Sequence, residues 1–260
     1  MGRLGCAKAP SLLLTLAECR AVFELQSFYA LRMLMKKFPK GDGHPVLVLP
    51  GFLASDTSTL PLRKVLKDLG YNAYGWKLGR NLTFNPEREQ QMHDRVMDIY
   101  RREGRQISII GWSLGGVFAR EIAKFMPEKT RSVISLGSPI IGDTDYSNAK
   151  TLFEAINGKP EGEYVERYER SHEAPPVPTT SIYSKSDGIV SWQGSIQEPG
   201  HQTENIEVPA SHFGLGFNPA VIYAVADRLA QAEGEWAPFV PAGPAKLIYS
   251  IPSVPEAMPA

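Results

Sequence analysis

The chain has 260 residues, 43% of them hydrophobic, a length that suits one large core better than two. Its 28 Lys and Arg balance 28 Asp and Glu, so no net field attracts nucleic acid or an anionic surface. Two cysteines, Cys6 and Cys19, exclude a disulfide framework, and no apolar run approaches the roughly 18 residues that would span a bilayer.

The apolar run at 11–17 is short, and Glu18 stands where a cleavage site needs a small residue, so we expect no export signal and a cytoplasmic location. From about residue 10 to 37, Leu13, Leu16, Phe23, Leu31 and Leu34 recur among Glu18, Arg20, Glu24 and Arg32. That pattern predicts a long amphipathic helix packed on the domain, with a membrane-contacting arm as the alternative. After a turn at 40–45, Val46-Leu47-Val48-Leu49 has the continuous apolar character of a buried parallel strand and ends at Pro50-Gly51. Leu62, Val65, Leu66 and Leu69 share one face of a helix that opens near Pro61 and stops at Gly70.

Residues 71–76 read as a second strand. Asn85-Pro86 opens a helix with Met92, Val96 and Ile99 inward, stopped by Gly104. Strands at 106–110, 131–136, 179–183 and 205–208, with helices at 117–126 and from Asn218-Pro219 to about 232, complete the alternation. The expected fold class is α/β, a doubly wound, mostly parallel sheet with helices on both faces. We divide the chain into an N-terminal helical segment (1–40), a body (41–234) and a Pro-rich tail (235–260) that is extended or without fixed structure. An insertion at about 140–178 carries little strand pattern and reads as a cap or lid.

Gly111-Trp112-Ser113-Leu114-Gly115 lies between the strand at 106–110 and the helix at 117–126. A G-x-S-x-G nucleophile elbow needs this context, because its serine must sit on a sharp strand-to-helix turn with the hydroxyl exposed. The serine needs a histidine base and a carboxylate behind it, in the chain order Ser, acid, His. His44 and His93 precede the elbow, and His172 and His201 precede the last strand; His212 follows that strand directly, where doubly wound sheets place their sites. Asp187, just past the penultimate strand, is the expected acid; Asp143 and Asp145 are its rivals, and a turn aspartate capping its own backbone is the alternative role. The group at 143–148 lacks the glycine and distal glutamate of a calcium loop, and we expect no metal. The oxyanion donors are the N–H of Leu114 and, from the loop after the first strand, that of Phe52 with Leu53 in reserve. Leu53, Trp112, Phe153, Trp192 and Phe213 are candidates to touch substrate, with Leu152 and Ile156 beside Phe153 on the cap.

Together, Pro50-Gly51-Phe52, the elbow at Ser113, Gly137-Ser138-Pro139, Asp187-Gly188-Ile189-Val190 and Ser211-His212-Phe213 resemble the α/β-hydrolases, in particular small lipase-like and esterase-like members, over about residues 45–232. Many members carry His-Gly where this chain has Pro-Gly. The resemblance implies carboxylic ester hydrolysis through an acyl-enzyme, without a cofactor, on a small-molecule or lipid ester. An acyltransferase or thioesterase with the same triad, or a weakly active ligand-binding homologue, are the alternatives. Lipid contact, if any, would run through the N-terminal helix or the cap.

Overall fold

A strand covered on both faces reads as a near-continuous apolar run, as Pro45-Val46-Leu47-Val48-Leu49 does here. The computed structural model describes residues 9–83, 85–141, 146–158, 162 and 170–252. The strands β1 (Pro45–Leu49), β2 (Asn72–Gly75), β3 (Ile107–Trp112), β4 (Thr130–Leu136), β5 (Thr179–Tyr183) and β6 (Thr203–Glu207) form one sheet in the order β2-β1-β3-β4-β5-β6. Every pairing is parallel. All five residues of β1 and of β5 are buried, as are the six of β3.

The helices are α1 (Leu12–Leu16), α2 (Ala21–Met35), α3 (Leu60–Asp68), α4 (Pro86–Glu103), α5 (Leu114–Phe125) and α6 (Lys150–Asn157), followed by a closing helix, Pro219–Leu229. Because strand side chains alternate, β1 sends Val46 and Val48 into one core layer and Leu47 and Leu49 into the other. Leu62, Val65 and Leu66 of α3 and Val221, Ile222 and Val225 of the closing helix cover the first layer. Met92, Val96 and Ile99 of α4 and Phe118 and Ile122 of α5 cover the second. Each such side chain, fully buried, contributes about 1.5–3 kcal/mol. The Asn85 side chain caps α4 by accepting from Arg88 N–H at 2.8 Å, and Gly104 ends it with φ 64°.

One region differs from the expectation. The N-terminal segment is not one amphipathic helix: a 3-10 turn at Ala17–Arg20 separates α1 from α2. Its expected inner stripe also faces outward, since Leu13, Leu16, Phe23 and Leu34 are exposed while Phe28 and Met35 enter the core. The stripe fails because polar anchors, Glu18 above all, set the rotation of the segment.

The described part of the tail, residues 235–252, runs along the surface and is held by two anchors. Phe239 and Tyr249 are buried against each other, ring centroids 4.9 Å apart, and Ser250 bridges to Glu207 across the open edge of β6. Its prolines break helix but do not prevent two aromatic anchors from docking. Among the described residues no helix is long and apolar enough to cross a membrane.

Candidate active site

The order β2-β1-β3 reverses direction at β1, and doubly wound sheets place their sites at the C-terminal edge of such a switch point. Leu49 at the end of β1 pairs with Gly111 near the end of β3, which brings Pro50-Gly51 alongside the elbow. Ser113 sits between β3 and α5 with φ 53° and ψ −124°. A non-glycine residue held there stores about 1–3 kcal/mol of backbone strain, maintained by the strand and helix on either side. The flanking glycines are steric necessities: a Cβ on Gly111 would meet Gly115 O at 2.1 Å, and one on Gly115 would meet Leu49 O at 2.6 Å. Leu114 is the first residue of α5, where N–H groups have no intrahelical partner and the helix dipole is positive.

Three further strand ends meet this one. Ser113 N–H donates to Leu136 O at 2.8 Å at the end of β4, and the next residue, Gly137, lies against Asp187 and His212. A Cβ at Gly137 would stand 3.0 Å from Asp187 Oδ2 and 3.4 Å from His212 Nδ1. Asp187 follows β5 and His212 follows β6; Nδ1 of His212 lies 2.7 Å from Asp187 Oδ2, with both residues buried. The other carboxylate oxygen, Oδ1, accepts from the N–H groups of Ile189 and Val190 at 2.8 Å each. Asp187 therefore caps its own turn and orients the imidazole with separate oxygens. Burial opposes a charge on His212, but the charge and hydrogen bond of Asp187, and then Glu18, outweigh it and raise the imidazole above its ordinary 6.5.

No family model and no curated protein sequence matches the chain. Solved structures do. Aspergillus fumigatus lipase B superposes with a TM-score of 0.56 at 17% identity, over 73% of this chain and 53% of that one, so the chain spans about half the length of that lipase. Paleococcus ferrophilus monoacylglycerol lipase gives 0.51 at 14% identity, over 73% and 96% of the two chains. An alpha/beta superfamily hydrolase from Oenococcus oeni PSU-1 gives 0.50 at 15% identity, over 72% and 91%. The chain has the α/β-hydrolase fold.

Within that α/β-hydrolase fold the substrate-side candidates separate. Phe52 packs edge-on against Phe153 of α6, ring centroids 5.4 Å apart, so α6 reaches the loop beside Ser113. Leu152 and Ile156, beside Phe153 on α6, are exposed. Leu53 is exposed with φ 64°, and its N–H donates to Asn81 O at 2.7 Å, which removes it as the reserve oxyanion donor. Trp112 is a core residue, not a pocket wall; its indole N–H donates to His212 O at 3.1 Å and steadies the histidine loop. Trp192 stacks on Tyr183 at 6.2 Å, and Phe213 is half exposed beside His212. Asp143 and Asp145, and all of the charged residues at 159–169, lie outside the described residues.

Asn81 is a residue that sequence reasoning missed. Fully buried, it donates from Nδ2 to Pro50 O at 2.8 Å and receives Leu53 N–H on its backbone carbonyl, so it fixes the 50–53 loop from behind. An asparagine in a loop between β2 and α4 carries no local signal of that role.

Proposed function

We propose that the protein is a serine hydrolase of carboxylic esters, with Ser113 as nucleophile, His212 as general base and acid, and Asp187 orienting the base. The observation that carries this is the buried Asp187 Oδ2 to His212 Nδ1 contact of 2.7 Å at the sheet edge where Ser113 holds its strained turn. With Nδ1–H donated to Asp187, Nε2 is the free acceptor. Ser113 Oγ attacks the ester carbonyl carbon and gives its proton to Nε2. The carbonyl oxygen becomes an oxyanion that accepts from the N–H groups of Leu114 and Phe52. Collapse expels the alcohol, which takes the proton from His212, and leaves an acyl-serine. Water, deprotonated by the same Nε2, then attacks the acyl carbon; the C–Oγ bond breaks, the carboxylic acid leaves, and Ser113 Oγ takes back the proton from His212.

Exposed apolar side chains around these elements, Leu53 on the loop after β1, Leu152 on α6 and Phe213 beside His212, support an apolar acyl group and contact with a lipid surface. The test is a ladder of p-nitrophenyl esters from acetate to dodecanoate, in buffer and as emulsions, with Ser113→Ala alongside. Hydrolysis that vanishes in the variant and rises with acyl length supports the reading. Equal turnover by wild type and Ser113→Ala overturns it.

A further inference from the structure

Glu18 comes from outside the hydrolase core, yet its side chain is buried between the loops that carry Asp187 and His212. Its Oε1 accepts from Gly188 N–H at 2.8 Å and from His212 N–H at 2.9 Å, and its Oε2 accepts from Phe213 N–H at 3.1 Å. One carboxylate thus joins the residue after the acid to the base itself. Neutral acceptors cannot match that set, because an amide offers one oxygen and turns a donor toward the third N–H.

The neighbouring residues repeat the pattern. Arg20 donates to Ser186 O at 2.5 Å and to Ala210 O at 3.0 Å, linking the residues just before Asp187 and Ser211. Glu24 accepts from Ser211 N–H at 2.8 Å and from Asn218 at 2.8 Å, and Thr15 donates to Gly188 O at 2.8 Å. The fit is built into position 188, where a Cβ would meet Leu14 O at 2.3 Å, so the backbone of α1 can lie close against the acid loop.

We propose that Glu18 is a positioning residue of the active site, setting the Asp187–His212 geometry by bridging the two loops and adding a second negative charge behind the imidazole. The proposal rests on the assignment of His212 as base. Its charge acts in the same direction as that of Asp187, favouring protonated His212. Among the described residues, the other charged groups on or against these loops are Asp187 and Lys185 on the acid loop itself, Lys185 being paired with Glu207 at 2.7 Å, and Arg20 and Glu24 of the N-terminal segment, the last two 3.7 Å apart as an ion pair.

The test compares Glu18→Gln, Glu18→Asp and Ser113→Ala by kcat, KM and the pH profile of kcat/KM on p-nitrophenyl butyrate. Arg32→Ala serves as a control, because Arg32 pairs with Asp68 and anchors α2 far from the site. In Glu18→Gln, kcat should fall on the order of 10- to 100-fold with KM little changed, as expected for a sub-ångström to 1 Å displacement of the base. With one negative charge gone, His212 loses its proton more readily, so the acid limb of the profile should move to lower pH. Glu18→Asp keeps the charge but is too short to bridge both loops, so kcat should fall while the limb stays near its wild-type position. Arg32→Ala should leave both unchanged. A Glu18→Gln enzyme with wild-type kcat and limb, or one that loses melting temperature while the folded fraction keeps both, overturns the proposal. Activity surviving in Ser113→Ala would instead overturn the hydrolase assignment beneath it.

Discussion

The sheet carries an Asp–His pair with a serine nearby at each of its two ends, and only one of them has the makings of a site. At the N-terminal end, His44 Nδ1 lies 2.5 Å from Asp42 Oδ1, and its Nε2 lies 3.0 Å from Ser108 Oγ. Arg105 and Arg131 hold the second oxygen of Asp42 at 2.7 and 2.9 Å. That edge even has a cleft, between Pro127, Arg131, Pro178 and Trp236. The residue types match those at Asp187 and His212, but the backbone does not. Ser108 is buried inside β3, in register with Val46, and its hydroxyl also meets Ser132 Oγ at 2.9 Å. Ser113 stands past the end of the same strand, at positive φ and at a helix N-terminus.

The two imidazoles respond in opposite senses. Burial, reinforced by Arg131 and Arg105, pushes His44 below its ordinary 6.5 despite the hydrogen bond it donates to Asp42, whereas His212 rises above it. Asp42, against the burial that would raise it, is held below the usual carboxylate range by His44 and Arg131. A neutral histidine between an ionised aspartate and a strand serine plugs the bottom of the sheet. A histidine raised toward protonation, at the same end of the sheet as a strained serine, is a candidate for chemistry.

The comparison is broken most easily at the serines. Ser113→Ala should lower kcat on the order of 10⁴-fold or more with no loss of melting temperature, whereas Ser108→Ala should keep activity within about twofold and lower stability by about 1–3 kcal/mol. Ester kinetics and urea melts on the same preparations decide between them. His212→Ala and Asp187→Asn should fall in the class of Ser113→Ala, because such groups act as a unit. His44→Ala should instead cost about 2–4 kcal/mol through a cavity and an exposed break in the Asp42 network, with kcat per folded molecule retained. Inactivation by His44→Ala without destabilisation would mean the wrong end had been chosen.

A pH series sharpens the same contrast. The acid limb of kcat/KM should have its midpoint above 6.5, because His212 is raised and must be neutral to accept the serine proton. For stability the signs are opposite. His44 is depressed in the fold, so its contribution is present above about 6.5 and is lost as pH falls below it. His212 is raised, so its contribution is present below about 6.5 and is lost as pH rises through the folded value. Proton NMR of the two rings reads both; a His44 titration above that of His212 would contradict the contrast.

The smallest expected effect is at the cap. Phe153→Ala should change the relative rates on long and short acyl chains by several-fold, since its ring leans on Phe52 beside the elbow. Unchanged ratios with a lower melting temperature would make Phe153 a packing residue.

What could be read from the residues alone follows the length scale of each signal. Gly111 to Gly115 announce themselves because strand, turn and helix are contiguous, and Asp187 and His212 follow from the strand each succeeds. Glu18 was legible only as a polar break in an apolar run, because its partners lie 170 and 194 residues away and no local pattern encodes them. The outward stripe of the N-terminal segment has the same origin: Arg20 and Glu24 are fixed by distant backbone groups, and those bonds override the amphipathic rule. Phe239 and Tyr249 were hidden by prolines that report on helix formation, not on docking.

The central claim, that Ser113 alone is activated as a nucleophile, is tested most directly by a fluorophosphonate reagent followed by peptide mass mapping, since no knowledge of the substrate is needed. We expect a single adduct, on Ser113, forming faster as pH rises through the His212 titration and absent in His212→Ala. Labelling of another serine, or a Ser113 adduct that forms equally fast in His212→Ala, would contradict the account.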